Sequence, residues 1–148
     1  MSVPTFETVL VATDGSESVE RAVEVALDLA ARFEADVETL YVLDEAELNG
    51  SPDRVHDDLR YALQEAGGEA LVEVRRRAAA HDVEVTTAVR EGRPADEILA
   101  HARDVDADVV ATGTRGRHGE NRLLVGSVAE RVVRSCPVPV LTVRRLES

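Results

Sequence analysis

The sequence predicts an α/β fold: a single doubly wound domain with a five-stranded parallel sheet and helices on both faces. Two patterns along residues 1–148 predict it. Short apolar runs alternate with longer stretches in which apolar residues recur about every three to four positions, as in helices that cover a sheet. The short runs are apolar at nearly every position, which is typical of strands buried on both faces of a parallel sheet.

Four predicted elements occupy the first half of the chain. They are a strand, a helix, a strand and a helix, at 8–12, 19–33, 37–43 and 55–78. Ser51-Pro52 predicts where the second helix begins, because serine favours the cap position and proline the first helical position. The apolar period of this helix passes through Gly67-Gly68 without a break, so we expect one long helix with a soft point at the glycines. Its expected apolar face comprises Val55, Leu59, Ala62, Leu63, Ala66, Ala70, Val74 and Ala78.

The second half continues the alternation with three strands and two helices. The strands are expected at 83–89, 108–112 and 138–143, and the last helix at 127–134. Arg93-Pro94 opens the other helix, which is expected to bury Ala95, Ile98, Leu99 and Ala102. Pro137 and Pro139 cannot donate to a ladder, so the final strand is expected at an edge of the sheet.

Composition excludes several classes of function. The 17 basic and 29 acidic residues give a net charge of −12, which argues against nucleic acid as a partner. No apolar stretch approaches the roughly 20 residues of a membrane span, and the first residues lack the pattern of a signal peptide. Cys136 is the single cysteine and has no partner for an internal disulfide. We therefore expect a cytoplasmic protein without membrane association.

All 17 basic residues are arginine. Adaptation to high intracellular salt is one explanation, because an acidic surface stays hydrated there. GC-rich coding, which favours arginine codons over lysine codons, is the other. Equal stability at low and at molar KCl would argue against the first.

Glycines lie between the fourth predicted strand and the last predicted helix. Gly113 and Gly116 follow the strand, and Gly126-Ser127 begins the helix. Glycines in this position let a backbone approach a phosphate, which the free N–H groups and the positive end of the helix then bind. The alternative is a flexible glycine loop without a ligand.

The segment between these glycines is basic in an acidic protein. It contains Arg115, Arg117 and Arg122 together with His118, against Glu120 as its one acidic residue. Such a local excess of positive charge suits a polyphosphate ligand. The alternative is that the arginines are merely solvated.

The residues that stand out occupy two loops, Thr13–Ser16 after the first strand and the segment from Gly113 after the fourth. In open α/β sheets, ligands bind beyond the carboxyl ends of the strands, where the strand order reverses. If the first and fourth strands are neighbours, both loops border one crevice.

These segments resemble the universal stress protein family. The pattern G-x-x-G, nine residues, G-S at Gly113–Ser127 is similar to the family's ATP-binding signature, and segments 9–16, 40–44 and 136–141 are similar to its first, second and final strands. The resemblance extends over essentially the whole chain. It implies a sheet in the order 3-2-1-4-5 and a protein that binds ATP, with AMP or ADP as alternatives, together with Mg.

The resemblance also implies the binding residues. The adenine edge would contact the backbone around Val42, with Ala12 and Thr13 beside it. Asp14 would meet the ribose or a phosphate-bound metal. The ribose and phosphates would contact Thr112, Gly113, Arg115, Gly116, Gly126, Ser127, Val128 and Ala129. For Asp14 an alternative remains, in which it caps the first helix and forms a capping box with Glu17.

Enzymatic function is not expected. A Walker-type NTPase needs a P-loop lysine, and the sequence contains no lysine, no H-x-G-H motif and no G-x-S-x-G motif. We expect no catalytic residue and no resident metal site, although slow ATP hydrolysis is an alternative. The expected role is that of a stress-response sensor or regulator in which ATP orders the Gly113–Ser127 loop. The other alternative is a nucleotide-free interaction module. Members of the family form dimers through the strand that corresponds to Val138–Val143, so the resemblance also implies a homodimer of this chain.

Overall fold

Strands and helices alternate along the chain in the predicted order, with one short helix added. The computed structural model describes residues 6–49, 53–114 and 126–145. The strands are β1 (Thr8–Thr13), β2 (Asp36–Asp44), β3 (Val85–Gly92), β4 (Val109–Gly113) and β5 (Val140–Val143). The helices are α1 (Glu17–Phe33), α2 (Glu45–Asn49), α3 (Asp53–His81), α4 (Pro94–Asp104) and α5 (Ser127–Ser135). The predicted helix start at Ser51-Pro52 lies outside the described residues.

The five strands form one parallel sheet in the order β3-β2-β1-β4-β5, which confirms the predicted fold class and strand order. Parallel neighbours require crossover connections, which the helices supply. β1 lies at the centre of the sheet, whereas β3 and β5 are its two edges. The edge position predicted from the prolines near the C-terminus is therefore confirmed.

The start of β3 differs from the prediction. The strand begins at Val85 and continues to Gly92. Val83, where the strand was expected to begin, instead donates its N–H to the carbonyl of Ala78 at 3.2 Å. This bond closes the turn that follows His81, the last residue of α3, so Val83 lies in the connection between α3 and β3.

The start of β5 and the helix α2 also differ from the prediction. Pro139 lies outside β5, but its carbonyl accepts the N–H of Val110 at 3.0 Å. Proline retains its acceptor while it lacks the donor, which explains why it precedes the ladder. The five residues of α2 are too few to show a helical period in the sequence.

Apolar side chains form a layer on each face of the sheet. α1 and α3 cover one face, where Val9 and Val11 of β1 are buried. α4 and α5 cover the other face, where Leu10 of β1 and Leu40 of β2 are buried. Because successive strand residues point to opposite faces, a strand covered on both sides is apolar throughout.

α3 is one continuous helix, as predicted, but its glycines are not equivalent. Gly67 is buried, and a Cβ at this position would lie 2.6 Å from Cδ1 and 2.7 Å from Cε1 of Tyr41. A Cβ at Gly68 would meet no atom of the described residues within 4 Å. Gly67 thus lets the helix approach the Tyr41 ring, and the soft point expected at the glycine pair stays a prediction.

Part of the predicted apolar face of α3 is exposed. Val55 retains 40% of its accessible surface, and Ala62 and Ala66 are also exposed. The buried positions among those described lie on a narrower stripe: Leu63, Gly67, Leu71, Val74 and Ala78. In α4, Ala95, Ile98 and Ala102 are buried as predicted, whereas Leu99 is half-buried.

An ion-pair network joins α3 to α1. Arg77 donates to Oε1 of Glu24 at 2.8 Å and to Oε1 of Glu73 at 3.0 Å, and Nε2 of His81 lies 3.0 Å from Oε2 of Glu24. Burial raises the pKa of Glu24, but hydrogen bonds with His81 and Arg77 lower it by more, so it lies below its ordinary value of 4.5. The network fixes the C-terminal half of α3 over the sheet.

Within the described ranges, no helix combines the length and the apolar character that a membrane crossing requires. In the same residues, no three His, Cys, Asp or Glu side chains are grouped as ligands for a metal ion.

Candidate functional site

The pairing between β1 and β4 stops before either strand ends, and the place where the two strands part is called the crevice below. The last residues that pair between them are Val11 and Ala111, although β1 continues to Thr13 and β4 to Gly113. Each strand stays paired on its other side, β1 with β2 and β4 with β5, to its last residue. The strand order reverses at this position, which is where ligands bind in open α/β sheets. The predicted adjacency of the first and fourth strands is confirmed.

The loop after β1 forms one wall of this crevice, and its own side chains fix its shape. Oγ1 of Thr13 accepts the N–H of Gly15 at 3.1 Å. Oδ1 of Asp14 accepts the N–H of Ser16 at 2.9 Å and the hydroxyl of Ser16 at 2.5 Å. Such turns arise when a short polar side chain accepts from the backbone two residues later.

The capping box considered as an alternative for Asp14 and Glu17 is not formed. α1 begins at Glu17, so Ser16 occupies the cap position, and its side chain makes no cap hydrogen bond. The Ser16 hydroxyl donates to Asp14 instead. Asp14 therefore shapes the loop before the helix rather than capping its first turn.

α3 supports this loop from behind. Gly15 has a φ of +78°, a conformation that favours glycine, and a Cβ there would lie 3.3 Å from Cβ of Ala70. The carboxylate of Asp14 is thus carried on a turn held between β1 and α3.

The N-terminus of α5 forms the opposite wall. Thr114 donates its N–H to the carbonyl of Val143 at 3.2 Å and accepts the N–H of Gly126 at 2.5 Å. These two bonds place Gly126 directly beside the end of β4. Gly126 is the cap residue of α5, with φ −65° and ψ 159°, and its carbonyl accepts the N–H of Glu130 at 2.9 Å.

The first turn of α5 supplies backbone donors at the carboxyl edge of the sheet. Ser127, Val128 and Ala129 are its first three residues, and N–H groups at such positions have no acceptor within their own helix. The helix dipole adds a partial positive charge at the same end. Since Ser127 is exposed, its hydroxyl is accessible as well.

The strand ends present mainly backbone to the crevice. Ala12, Thr13, Thr112 and Gly113 are all buried, and the hydroxyl of Thr112 donates to the carbonyl of Gly113 at 3.2 Å. Val42 of β2 is half-buried on the face that α4 and α5 cover. Its strand neighbours β1, so Val42 lies one strand away from the separation of β1 and β4.

The structure therefore brings most of the predicted residues together at the carboxyl ends of the strands. They are Ala12, Thr13, Asp14, Val42, Thr112, Gly113, Gly126, Ser127, Val128 and Ala129. Arg115 and Gly116 lie outside the described residues, as do the other basic residues between the glycines. Sequence reasoning placed Ser16 and Thr114 in the two loops but gave neither a role, although their hydrogen bonds shape the two walls. The order Asp-Gly-Ser is typical of a turn in which the first side chain bonds to the third residue, so it could have identified Ser16. Thr114 acts through its backbone, for which the sequence carries no signal.

Acidic side chains at the neighbouring helix N-termini are paired with arginines. Arg131 of α5 lies 2.6 Å from Asp96 in the first turn of α4, and Arg145 lies 2.7 Å from Glu17 in the first turn of α1. These pairs reduce the negative charge at the carboxyl edge of the sheet, where an anionic ligand would otherwise be repelled.

Comparisons with known proteins agree with this architecture. Residues 5–144 match the model of the universal stress protein family. A universal stress protein of Methanocaldococcus jannaschii is 37% identical over 141 residues, which cover 95% of this chain and 83% of that protein.

Two solved structures superpose over nearly the whole chain. A universal stress protein from Lactobacillus plantarum has a TM-score of 0.82 and covers 96% of this chain and 100% of its own; its 24% identity supports the fold alone. A universal stress protein in complex with cAMP has a TM-score of 0.71 and 28% identity, and the match covers 97% of this chain and 100% of that one. The chain belongs to the universal stress protein family.

Proposed function

We propose that the crevice between β1 and β4 binds an adenine nucleotide, namely ATP with Mg, with AMP or ADP as alternative ligands. The observation that carries this proposal is the Gly126–Thr114 hydrogen bond, which places the N-terminus of α5 beside the separating strands. A helix N-terminus at a strand-order reversal offers unpaired N–H groups and positive potential to phosphates. The relative solved with cAMP supports a ligand of this class.

The residues of the crevice suit the parts of such a ligand. The first turn of α5 would bind phosphate oxygens through its backbone and the Ser127 hydroxyl. Asp14, on its fixed turn, would accept from the ribose or face a metal ion carried by the phosphates. The β2 backbone around Val42 would contact the adenine edge, with Ala12 and Thr13 beside it. Arg115 and Gly116 would contact phosphates as the family signature implies.

The role that follows is that of a nucleotide-responsive regulator and not of an enzyme. Binding would fix the conformation of the segment from Gly113 to Ser127, and a ligand shifts such an equilibrium toward the state it binds better. The surface presented to a partner would then depend on the adenylate state.

Titration of Mg-ATP into two variants of Gly126 tests the site. The φ and ψ of Gly126 are open to any residue, and Asp and Asn are both good caps, so both variants should fold. In Gly126→Asp a carboxylate would occupy the phosphate-binding amides, and we expect affinity to fall at least about 30-fold. Gly126→Asn has the same size without the charge, so we expect a clearly smaller loss than in Gly126→Asp, and the difference between the two variants measures the effect of the charge.

Calorimetry in molar KCl measures these affinities, with circular dichroism as the folding control. Equal affinity in wild type and Gly126→Asp would contradict the proposed site. An absence of heat in the folded wild type would favour the nucleotide-free interaction module. Phosphate release from Mg-ATP by the same samples, above the rate of buffer, would favour the slow ATPase.

We also propose that two copies pair along β5. This strand is an edge of the sheet, and its residues Val140 and Leu141 are half-buried beside exposed Thr142. An edge strand with apolar side chains is a template for pairing with another chain. Sedimentation in molar KCl should give twice the monomer mass at micromolar concentration, and a monomer mass would refute the dimer.

A further inference from the structure

The outer face of α3 combines exposed apolar and acidic side chains. Tyr61 retains 65% and Val72 66% of their accessible surface, which are large values for such residues. With Gly68 between them they follow the helical repeat, so the three lie along one stripe. This stripe points away from the sheet, because the buried stripe of the same helix includes Leu63, Gly67 and Leu71. We refer to Tyr61, Gly68, Val72 and the acidic residues beside them as the α3 outer face.

A shallow concavity of about 550 Å³ runs along this face. Its lining includes Tyr61, Gly68 and Val72, with Gln64, Glu65 and Glu69 among its polar members. Its middle is open at Gly68, where a Cβ would meet no described atom within 4 Å. Because Gly68 carries no side chain, another helix can approach the α3 backbone closely there.

The charge of the face is negative. Glu65 accepts a hydrogen bond from Tyr61, which raises the pKa of that phenol. The hydrogen bond with Arg76 lowers the pKa of Glu73 to about 2, and this carboxylate is also bonded to Arg77. Glu65 and Glu69 form no ion pair with any arginine or histidine of the described ranges. Two carboxylates thus flank the apolar stripe and are available to a cationic partner.

We propose that the α3 outer face docks a basic amphipathic helix of a partner protein, with its apolar side in the notch at Gly68. Apolar anchors in a groove at helical spacing are one recurring mode of peptide recognition, and complementary charge at the rim selects the partner. A second copy of this chain is disfavoured, because its own α3 would place the same carboxylates against Glu65 and Glu69.

A synthetic amphipathic peptide tests this surface. The probe has leucine on one helical face and lysine on the other, and a matched peptide has glutamate in place of lysine. Tyrosine fluorescence reports binding, because of the two tyrosines only Tyr61 is exposed whereas Tyr41 is buried. At 0.15 M salt we expect the lysine peptide to bind with a Kd on the order of 10 μM and the glutamate peptide not to bind.

Variants of α3 distinguish docking on this face from general attraction to an acidic protein. In Gly68→Gln the new Cβ would meet no described atom of the protein within 4 Å, so the fold should be retained. The new side chain occupies the space in which the peptide would dock, so we expect affinity for the lysine peptide to fall at least about tenfold. The pair Glu65→Lys and Glu69→Lys should abolish binding. Its control is the pair Asp36→Lys and Glu84→Lys, which changes the net charge equally at exposed residues outside α3.

The outcomes are separable. Loss of binding in both α3 variants but not in the control pair supports the proposal. Equal loss in the control pair would attribute binding to net charge alone and overturn it. Unchanged affinity in Gly68→Gln, no binding of the lysine peptide to the wild type, or a dimer that these α3 variants disrupt would overturn it as well. None of these outcomes depends on nucleotide binding.

Discussion

Alanine at Gly67 is expected to lower the free energy of unfolding, whereas alanine at the adjacent Gly68 is expected to raise it. A Cβ at Gly67 would lie 2.6 Å from the Tyr41 ring, which is 1% exposed and enclosed by other side chains. Overfilling a well-filled core costs about 1–3 kcal/mol. Alanine in a helix is favoured over glycine by up to about 1 kcal/mol. At Gly67 this gain offsets part of the packing cost, whereas at Gly68 there is no packing cost and the gain alone raises the free energy of unfolding.

The two variants form a matched pair, because their helix propensities are equal. We expect their unfolding free energies to differ by about 2 kcal/mol, and this difference measures the contact with Tyr41. Urea denaturation at constant KCl measures the free energy of unfolding of each variant. In a Tyr41→Leu background the difference should shrink, since the ring atoms that meet the Cβ are absent. If the two alanines had the same effect, the helix would have no close contact at Gly67.

Removing the carboxylate of Asp108 is expected to destabilise the protein by about 2 kcal/mol. Oδ2 of Asp108 accepts the N–H groups of Glu7 at 2.8 Å and Thr8 at 2.9 Å. It thereby joins the start of β1 to the start of β4, at the end of the sheet opposite the crevice. Charge-assisted hydrogen bonds are the stronger kind, and Asp108→Ala would leave both N–H groups without this acceptor.

Asp108→Asn separates the hydrogen bonds from the charge. Its side-chain oxygen can still accept at the same position, so we expect roughly half of the loss seen with alanine. Hydrogen exchange at the amides of Glu7 and Thr8 should accelerate in the alanine variant, while nucleotide affinity should stay unchanged. Equal destabilisation by asparagine and alanine would show that the charge matters and not the hydrogen bonds.

The architecture was predictable because parallel sheets impose strong patterns on a sequence. β1 is apolar on both faces because helices cover both faces of the sheet. The prolines beside β5 indicated that it is an edge strand. The crevice was predictable for a related reason, because loops that carry glycine and short polar residues follow β1 and β4. The strand order itself came from the resemblance to the family.

Other features depend on tertiary contacts that leave no local pattern. Whether a helical glycine is tolerated or required depends on Tyr41, a residue on another element, and Gly67 and Gly68 look alike in the sequence. The alternative role of Asp14 as a helix cap was wrong because Ser16, equally suited to that position, occupies it. Val83 has a β-branched side chain typical of strands, but its hydrogen bond to Ala78 holds it in the turn after α3.

The central position of β1 has a consequence for how the protein is made. β1 is synthesised before the other four strands, yet it receives its second neighbour only when β4 has been made, about a hundred residues later along the chain. Until then β1 is an edge strand with an open ladder and exposed apolar side chains, the kind of edge that recruits other nascent chains. Completion of the crevice and closure of this edge are therefore the same late event in biosynthesis.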